Sequence, residues 1–83
     1  MYLVLMYNVK DADDIKNMSI YPDLEVAKGV CTRWALGELG CNKEDLLEST
    51  DVPSDVMYEV YKEDDPRRFY VHQLDPANVI DRE

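Results

Sequence analysis

The side chains able to do chemistry are few, and their spacing limits what that chemistry could be. One histidine, His72, and two cysteines, Cys31 and Cys41, stand in a chain of 83 residues. A nucleophilic device of the Ser-His-Asp or Cys-His kind needs a base beside its nucleophile, and His72 would have to be that base. His72 lies in a run that alternates apolar and polar residues as a strand does. Its expected cross-strand partner is Glu59, which makes it a structural histidine whose titration could tune an interface. The cysteines are spaced neither as a CxxC redox pair nor as half of a usual zinc set. With His72 they make three soft ligands, whereas a closed zinc site takes four. Asp11, Asp13 and Asp14 resemble the opening of a calcium loop. Ile15, however, stands at the next ligand position, Lys16 replaces the turn glycine, and Pro22 stands where the closing glutamate belongs. Neither a GxGxxG nor a GxxxxGK[ST] run occurs, so no cradle for nucleotide phosphates is expected. No cofactor and no metal is expected either.

Carboxylates are abundant, but a catalytic pair needs surroundings that separate its two pKa values, usually a cleft. A small sheet carrying one long helix has little room for a deep one. The chain is therefore expected to bind rather than to catalyse.

Charge points to the kind of partner. Eighteen acidic residues face nine basic ones, a formal net charge of −9. Such a surface repels phosphate backbones and anionic lipid, so direct contact with nucleic acid or membrane is not expected. A basic protein surface is the natural partner, because opposite potentials speed encounter and penalise wrong partners. The other reading of the same number is that acidity keeps a small cytoplasmic protein soluble.

Stepping along the chain, residues 2–9 alternate with apolar side chains on both faces, as in an interior strand. Residues 10–17 are polar and read as a turn with a short helical piece, and 18–21 as a second short strand. The clearest element is a helix over 22–39. Pro22 suits its first position, Asp23 and Glu25 its positive end, and Gly40 its stop. Leu24, Ala27, Val30, Cys31 and Trp34 form its apolar stripe. Gly29 interrupts it, which a close approach of the sheet backbone would explain. Asn42 is placed to cap a short second helix over 43–48 with Leu46 and Leu47 facing inward. Residues 56–62 and 68–74 make a hairpin around an acidic turn with Pro66. The expected register sets Glu59 opposite His72 and Glu63 opposite Arg68. It buries Tyr58, Val60, Phe69 and Val71 and leaves Glu59, Tyr61, Tyr70 and His72 on the other face. A slip by one residue would exchange these sets. One helical turn over 76–79, capped by Asp75, precedes a frayed end, and 75–83 is read as a tail on a single domain spanning 1–83.

These elements amount to an α+β fold, an antiparallel sheet of three to four strands packed on one long helix, with a short second helix. Tyr61 and Tyr70 then lie as neighbours on the exposed hairpin face beside Glu59, Glu63, Asp64 and Asp65. Six of the chain's aromatic residues are tyrosines, which combine contact area with a polar tip. An aromatic pair ringed by acids is the expected docking patch for an arginine-rich surface. The competing reading has Arg67 and Arg68 neutralise those acids while another element or a subunit covers the tyrosines. A second acidic run, Glu44, Asp45, Glu48, Asp51 and Asp55, reads as a solvated face around the short helix. The opening residues lack the basic flank and cleavage site of an export signal and are too short to span a membrane. A cytoplasmic location with both thiols reduced and buried is the expectation.

In its size, acidity and layout, over the whole chain, this sequence resembles the small phage-encoded inhibitors of host defence, of which anti-CRISPR proteins are the best known. The resemblance rests on no residue motif and carries no functional residue with it. It implies stoichiometric binding in the host cytoplasm to the basic nucleic-acid channel of a defence nuclease, with carboxylates standing where phosphates lie. A self-associating structural or accessory subunit, a homodimer in contact through residues 2–9, is the rival expectation.

Overall fold

The computed structural model describes residues 1–74. The turn expected at 76–79 with its Asp75 cap, and the frayed end, lie outside the described residues. The elements are strands β1 (Tyr2–Asn8) and β2 (Asp11–Tyr21), helix α1 (Leu24–Leu39), a 3-10 turn (Lys43–Asp45), and strands β3 (Leu47–Glu48), β4 (Val56–Tyr61) and β5 (Arg67–Gln73). The sheet runs β2-β1-β5-β4-β3, with every neighbouring pair antiparallel. The α+β architecture is as the sequence implies, but the sheet has five strands rather than three or four.

Residues 18–21 are in a strand as read, and what the sheet gains beyond the expected elements comes from two segments whose composition hides them. The turn is confined to Val9 and Lys10, and residues 11–17 form most of β2, held against β1 from Tyr2↔Tyr21 to Asn8↔Asp11. As the outermost strand, β2 is exposed along almost its whole length, so it needs no buried alternation and shows none. The short helix expected over 43–48 stops after one 3-10 turn. Leu46 takes up extended backbone, and Leu47 and Glu48 pair with Tyr61 and Val60. Leu46 is half-buried against the core, whereas Leu47 is exposed rather than inward-facing.

α1 lies across one face of the sheet. Its small residues Ala27, Cys31 and Ala35 are fully buried against Val4 and Met6 of β1, Val60 of β4, and Phe69 and Val71 of β5. Trp34 meets Phe69 edge-on at 5.2 Å between centroids. Asp23, not Pro22, sets the helix start; its carboxylate accepts from the Glu25 N–H at 2.8 Å, satisfying one of the helix's free donors. Gly40 ends it with φ 62, its N–H donating to the Leu36 carbonyl. Gly29 is exposed, and a Cβ built there meets nothing within 4 Å. Close packing therefore does not explain that glycine, and nothing else in the structure does.

The β4–β5 hairpin keeps the expected faces but not the expected register. Glu59 pairs with Tyr70 and Tyr61 with Arg68, so Glu59 faces a position two residues before His72. Side chains alternate with period two, so this shift leaves each residue on its face, and Val60, Phe69 and Val71 still point to α1. The turn sets the register. Asp65 N–H donates to the Lys62 carbonyl, closing the chain reversal ahead of Pro66. His72 is consequently opposite Val56.

Candidate functional site

The face of the sheet turned away from α1 carries Leu3, Leu5 and Tyr7 of β1, Glu59 and Tyr61 of β4, and Arg68, Tyr70 and His72 of β5, as the strand registers require. Ile15 and Ile20 of β2 extend it, opposite Tyr7 and Leu3. No helix among the described residues covers it. The residues singled out for docking all lie on this face or in the turn at its end, in three different environments.

Glu59 is only 8% exposed. Its Oε2 accepts from Arg68 Nη1 at 2.9 Å and from Ser49 Oγ at 3.1 Å. The Arg68 guanidinium also lies 4.2 Å from the centre of the Tyr61 ring. Tyr70 meets Tyr7 rather than Tyr61, with centroids 5.3 Å apart and rings at 82°. Asp65 is gripped by Arg67, whose Nε and Nη2 each donate at 3.0 Å to one of its oxygens. This pairing holds the Asp65 carboxyl below its ordinary value and raises Arg67. Asp64 pairs with Lys62 at 2.6 Å, and that hydrogen bond lowers its pKa. Glu63 is exposed and in no ion pair among the described residues.

The acids expected to present free charge are thus divided. Glu59 and Asp65 are braced by Arg68 and Arg67, while Glu63 and Asp64 reach solvent. Pairing of β3 with β4 brings further carboxylates to the second group. Glu44 and Asp45, from the run read as a solvated face, line one hollow of about 450 Å³ with Leu47, Lys62, Glu63 and Asp64. Nothing in the sequence ties Glu44 to Glu63, because a two-residue strand gives no periodic signal.

On the open face a second cleft of about 300 Å³ lies among Tyr7, Pro53, Asp55, Val56, Glu59, Tyr70 and His72. His72 Nε2 stands 3.7 Å from Asp55 Oδ2, so its acidic neighbour is Asp55, not Glu59. Burial, with the negative charge of Glu59 added, raises the pKa of Tyr7; burial, then Tyr7 and Glu59, raises Tyr70.

Elsewhere, Cys31 of α1 is buried against the sheet, and burial pushes its thiol up to about 12; Cys41 is half-buried rather than buried as expected, and both are free thiols. Asp11, Asp13 and Asp14 belong to β2 and bond locally, Asp11 accepting from Asp13 N–H and Asp14 from Asn8 Nδ2. Among the described residues no group of His, Cys, Asp and Glu gathers as a metal site would require, and no helix is long and apolar enough to cross a membrane.

No family model, curated protein or solved structure matches this chain.

Proposed function

We propose that the chain is a non-catalytic binding protein that docks on a basic, nucleic-acid-handling protein, such as a defence nuclease complex, and inhibits it by occupying its nucleic-acid site with acidic and tyrosine side chains. The observation that carries this reading is the hollow in which Glu44, Asp45, Glu63 and Asp64 converge around one lysine, Lys62. Carboxylates set close together on a pinned sheet end favour a cationic surface in the way a short run of phosphates does. Tyr61, next to the hollow, adds an aromatic contact of the kind common at interface centres. In this reading Glu63, Asp64 and Tyr61 touch the partner together with Glu44 and Asp45. Glu59 and Asp65 brace the strands and the turn that present them. The partner and the inhibitor meet in the cytoplasm of the host cell.

The test is retention of host proteins on the immobilised chain. Proteins held by this surface are expected to be nucleic-acid binders, displaced by added duplex DNA or RNA and by raised salt. Retention indifferent to both overturns the reading.

The self-associating subunit is favoured by a different observation. β2 is an 11-residue outer strand with Ile15, Met18 and Ile20 exposed, and such an edge is a template for pairing. An antiparallel pairing of two copies centred on Ile15 sets Lys16 of each opposite Asp14 of the other. Contact along the edges of residues 2–9 is not available, since β1 is already paired to β2 and β5. Sedimentation equilibrium discriminates: a dimer abolished by Ile15→Lys supports self-association, and a monomer at micromolar concentration removes it.

A further inference from the structure

We propose that the cleft between Tyr7, Tyr70 and Asp55 is a guanidinium pocket that takes one arginine side chain of the docked protein. This inference rests on the reading above and names its anchoring contact.

Three features of the cleft select a planar cation. The first is aromatic. Tyr7 and Tyr70 meet at 82°, so the two rings form a corner. A cation placed against a ring face is attracted by the ring's quadrupole, and more strongly where water is displaced. The second is a fixed carboxylate. Glu59 is buried, and both of its hydrogen bonds from described residues, from Arg68 and Ser49, fall on Oε2. Oε1 accepts no hydrogen bond from a described residue, and the group, which lines the cleft, is held in place by those two donors. The third is the rim, where the Asp55 carboxyl is 58% exposed and close to His72. Charge and aromatic surface thus come from three segments of chain and converge on one space.

The molecule already holds one guanidinium by the same chemistry. Arg68 lies over Tyr61 while donating to Glu59, an aromatic face and a carboxylate acting together. The cleft offers the corresponding pair, Tyr70 with Glu59, and no lysine or arginine of the described residues lines it. Its volume of about 300 Å³ is at the low end for ligand pockets, which suits one side chain rather than a cofactor. Arginine fits better than lysine. Its guanidinium is flat, stacks on rings, sheds water readily and donates along two parallel directions, whereas an ammonium is a compact, strongly hydrated point charge.

The experiment titrates the whole chain with N-butylguanidinium, N-butylammonium and the neutral N-butylurea, following ring resonances of Tyr7, Tyr70 and His72 by NMR. Saturable shifts are expected for the guanidinium, weaker binding for the ammonium, and none for the urea. Tyr70→Leu is expected to weaken guanidinium binding about three- to tenfold, the equivalent of one cation–π contact. Asp55→Asn, on the exposed rim and without consequence for the core, is expected to weaken it by a comparable factor. Equal binding of the urea, tighter binding of the ammonium, or no saturable shift at these rings overturns the inference. The shifts are read at rings that line the cleft and not the acidic hollow. Its failure therefore removes the pocket alone, whereas loss of the salt- and DNA-sensitive retention removes the reading on which the pocket depends.

Discussion

Glu59 and Arg68 form an ion pair reaching diagonally across the β4–β5 ladder, with 2.9 Å between Arg68 Nη1 and Glu59 Oε2, on the sheet face away from the helix. A carboxylate as buried as Glu59 persists only with a partner, because the interior replaces little of the water it loses. Ser49 supplies a second donor, which ties the loop after β3 to the middle of β4. The pair therefore joins three segments at the wall of the tyrosine cleft, which Glu59 lines.

Breaking this pair from one side should cost more than removing both charges. Arg68→Met leaves Glu59 uncompensated. The expected loss is about 2–3 kcal/mol, below the ~3–5 kcal/mol of fully buried pairs because the Arg68 side chain keeps solvent access. The double variant Arg68→Met with Glu59→Leu should recover most of that loss. Urea unfolding of the single and double variants measures the difference, and a double variant no more stable than the single one would contradict the account.

Gly29 within α1 and Gly40 at its C-terminal end should respond with opposite signs. Gly29 is exposed on α1 with open space where a Cβ would go, so Gly29→Ala is expected to stabilise by about 0.5–1 kcal/mol. Gly40 sits at φ 62, so Gly40→Ala should cost about 1 kcal/mol. Thermal melts of both variants give the comparison directly.

These cases show what the sequence makes legible and what it does not. α1 announced itself through its stripe and its flanking Asp23 and Gly40. β1 was readable because side chains apolar on both faces require cover or neighbours on both. The first part of β2, before 18–21, was hidden by its position at the sheet edge, since a strand solvated on both faces has no pattern to display. Alternation in β4 and β5 fixed which residues face α1, yet it is blind to a shift of two, and the Lys62–Asp65 turn decided that. At the site, the types were readable, and so was the alternative in which Arg67 and Arg68 neutralise acids of the turn and hairpin, but the company of Glu63 and Asp64 was not. Arg67 and Arg68 took up Asp65 and Glu59, and the pairing of Leu47 with Tyr61 drew Glu44 and Asp45 to Glu63 and Asp64.

Thiol chemistry should separate the cysteines. Cys31 is sealed between α1, which carries it, and the sheet, and its pKa is pushed up to about 12, burial being the main cause and the charge of Glu59 the second. A disulfide reagent at pH 8 should modify Cys41 in the native protein and reach Cys31 only on unfolding, because the thiolate is the reacting form. The sign of the linked pH dependence follows. The folded state holds the Cys31 proton more tightly than the unfolded state, whose thiol has the ordinary value of 9.0. That contribution to stability is complete below pH 9 and falls as pH rises from 9 towards 12. Cys31→Ala should flatten this alkaline loss, while Cys41→Ala should leave it in place.

The acidic hollow makes the sharpest functional forecast, because its residues are exposed and can change without disturbing the core. Glu44, Asp45 and Glu63 each lie at the surface, and none of them forms an ion pair within the described chain. Glu44→Lys with Glu63→Lys reverses the potential at the hollow and should leave circular dichroism and melting nearly unchanged, as surface substitutions usually shift stability by no more than about 0.5 kcal/mol. Retention of the basic partner should then fall by at least an order of magnitude at about 0.1 M salt, with a smaller change at about 1 M, where screening already suppresses the attraction. A matched reversal at Glu25, on the exposed start of α1 and away from the hollow, changes net charge by the same sign and serves as the control. If Glu25→Lys weakened retention as much per charge as the hollow variant, overall acidity rather than the converging carboxylates would be responsible. Loss confined to the hollow variant assigns the contact to the surface that β3 and β4 assemble.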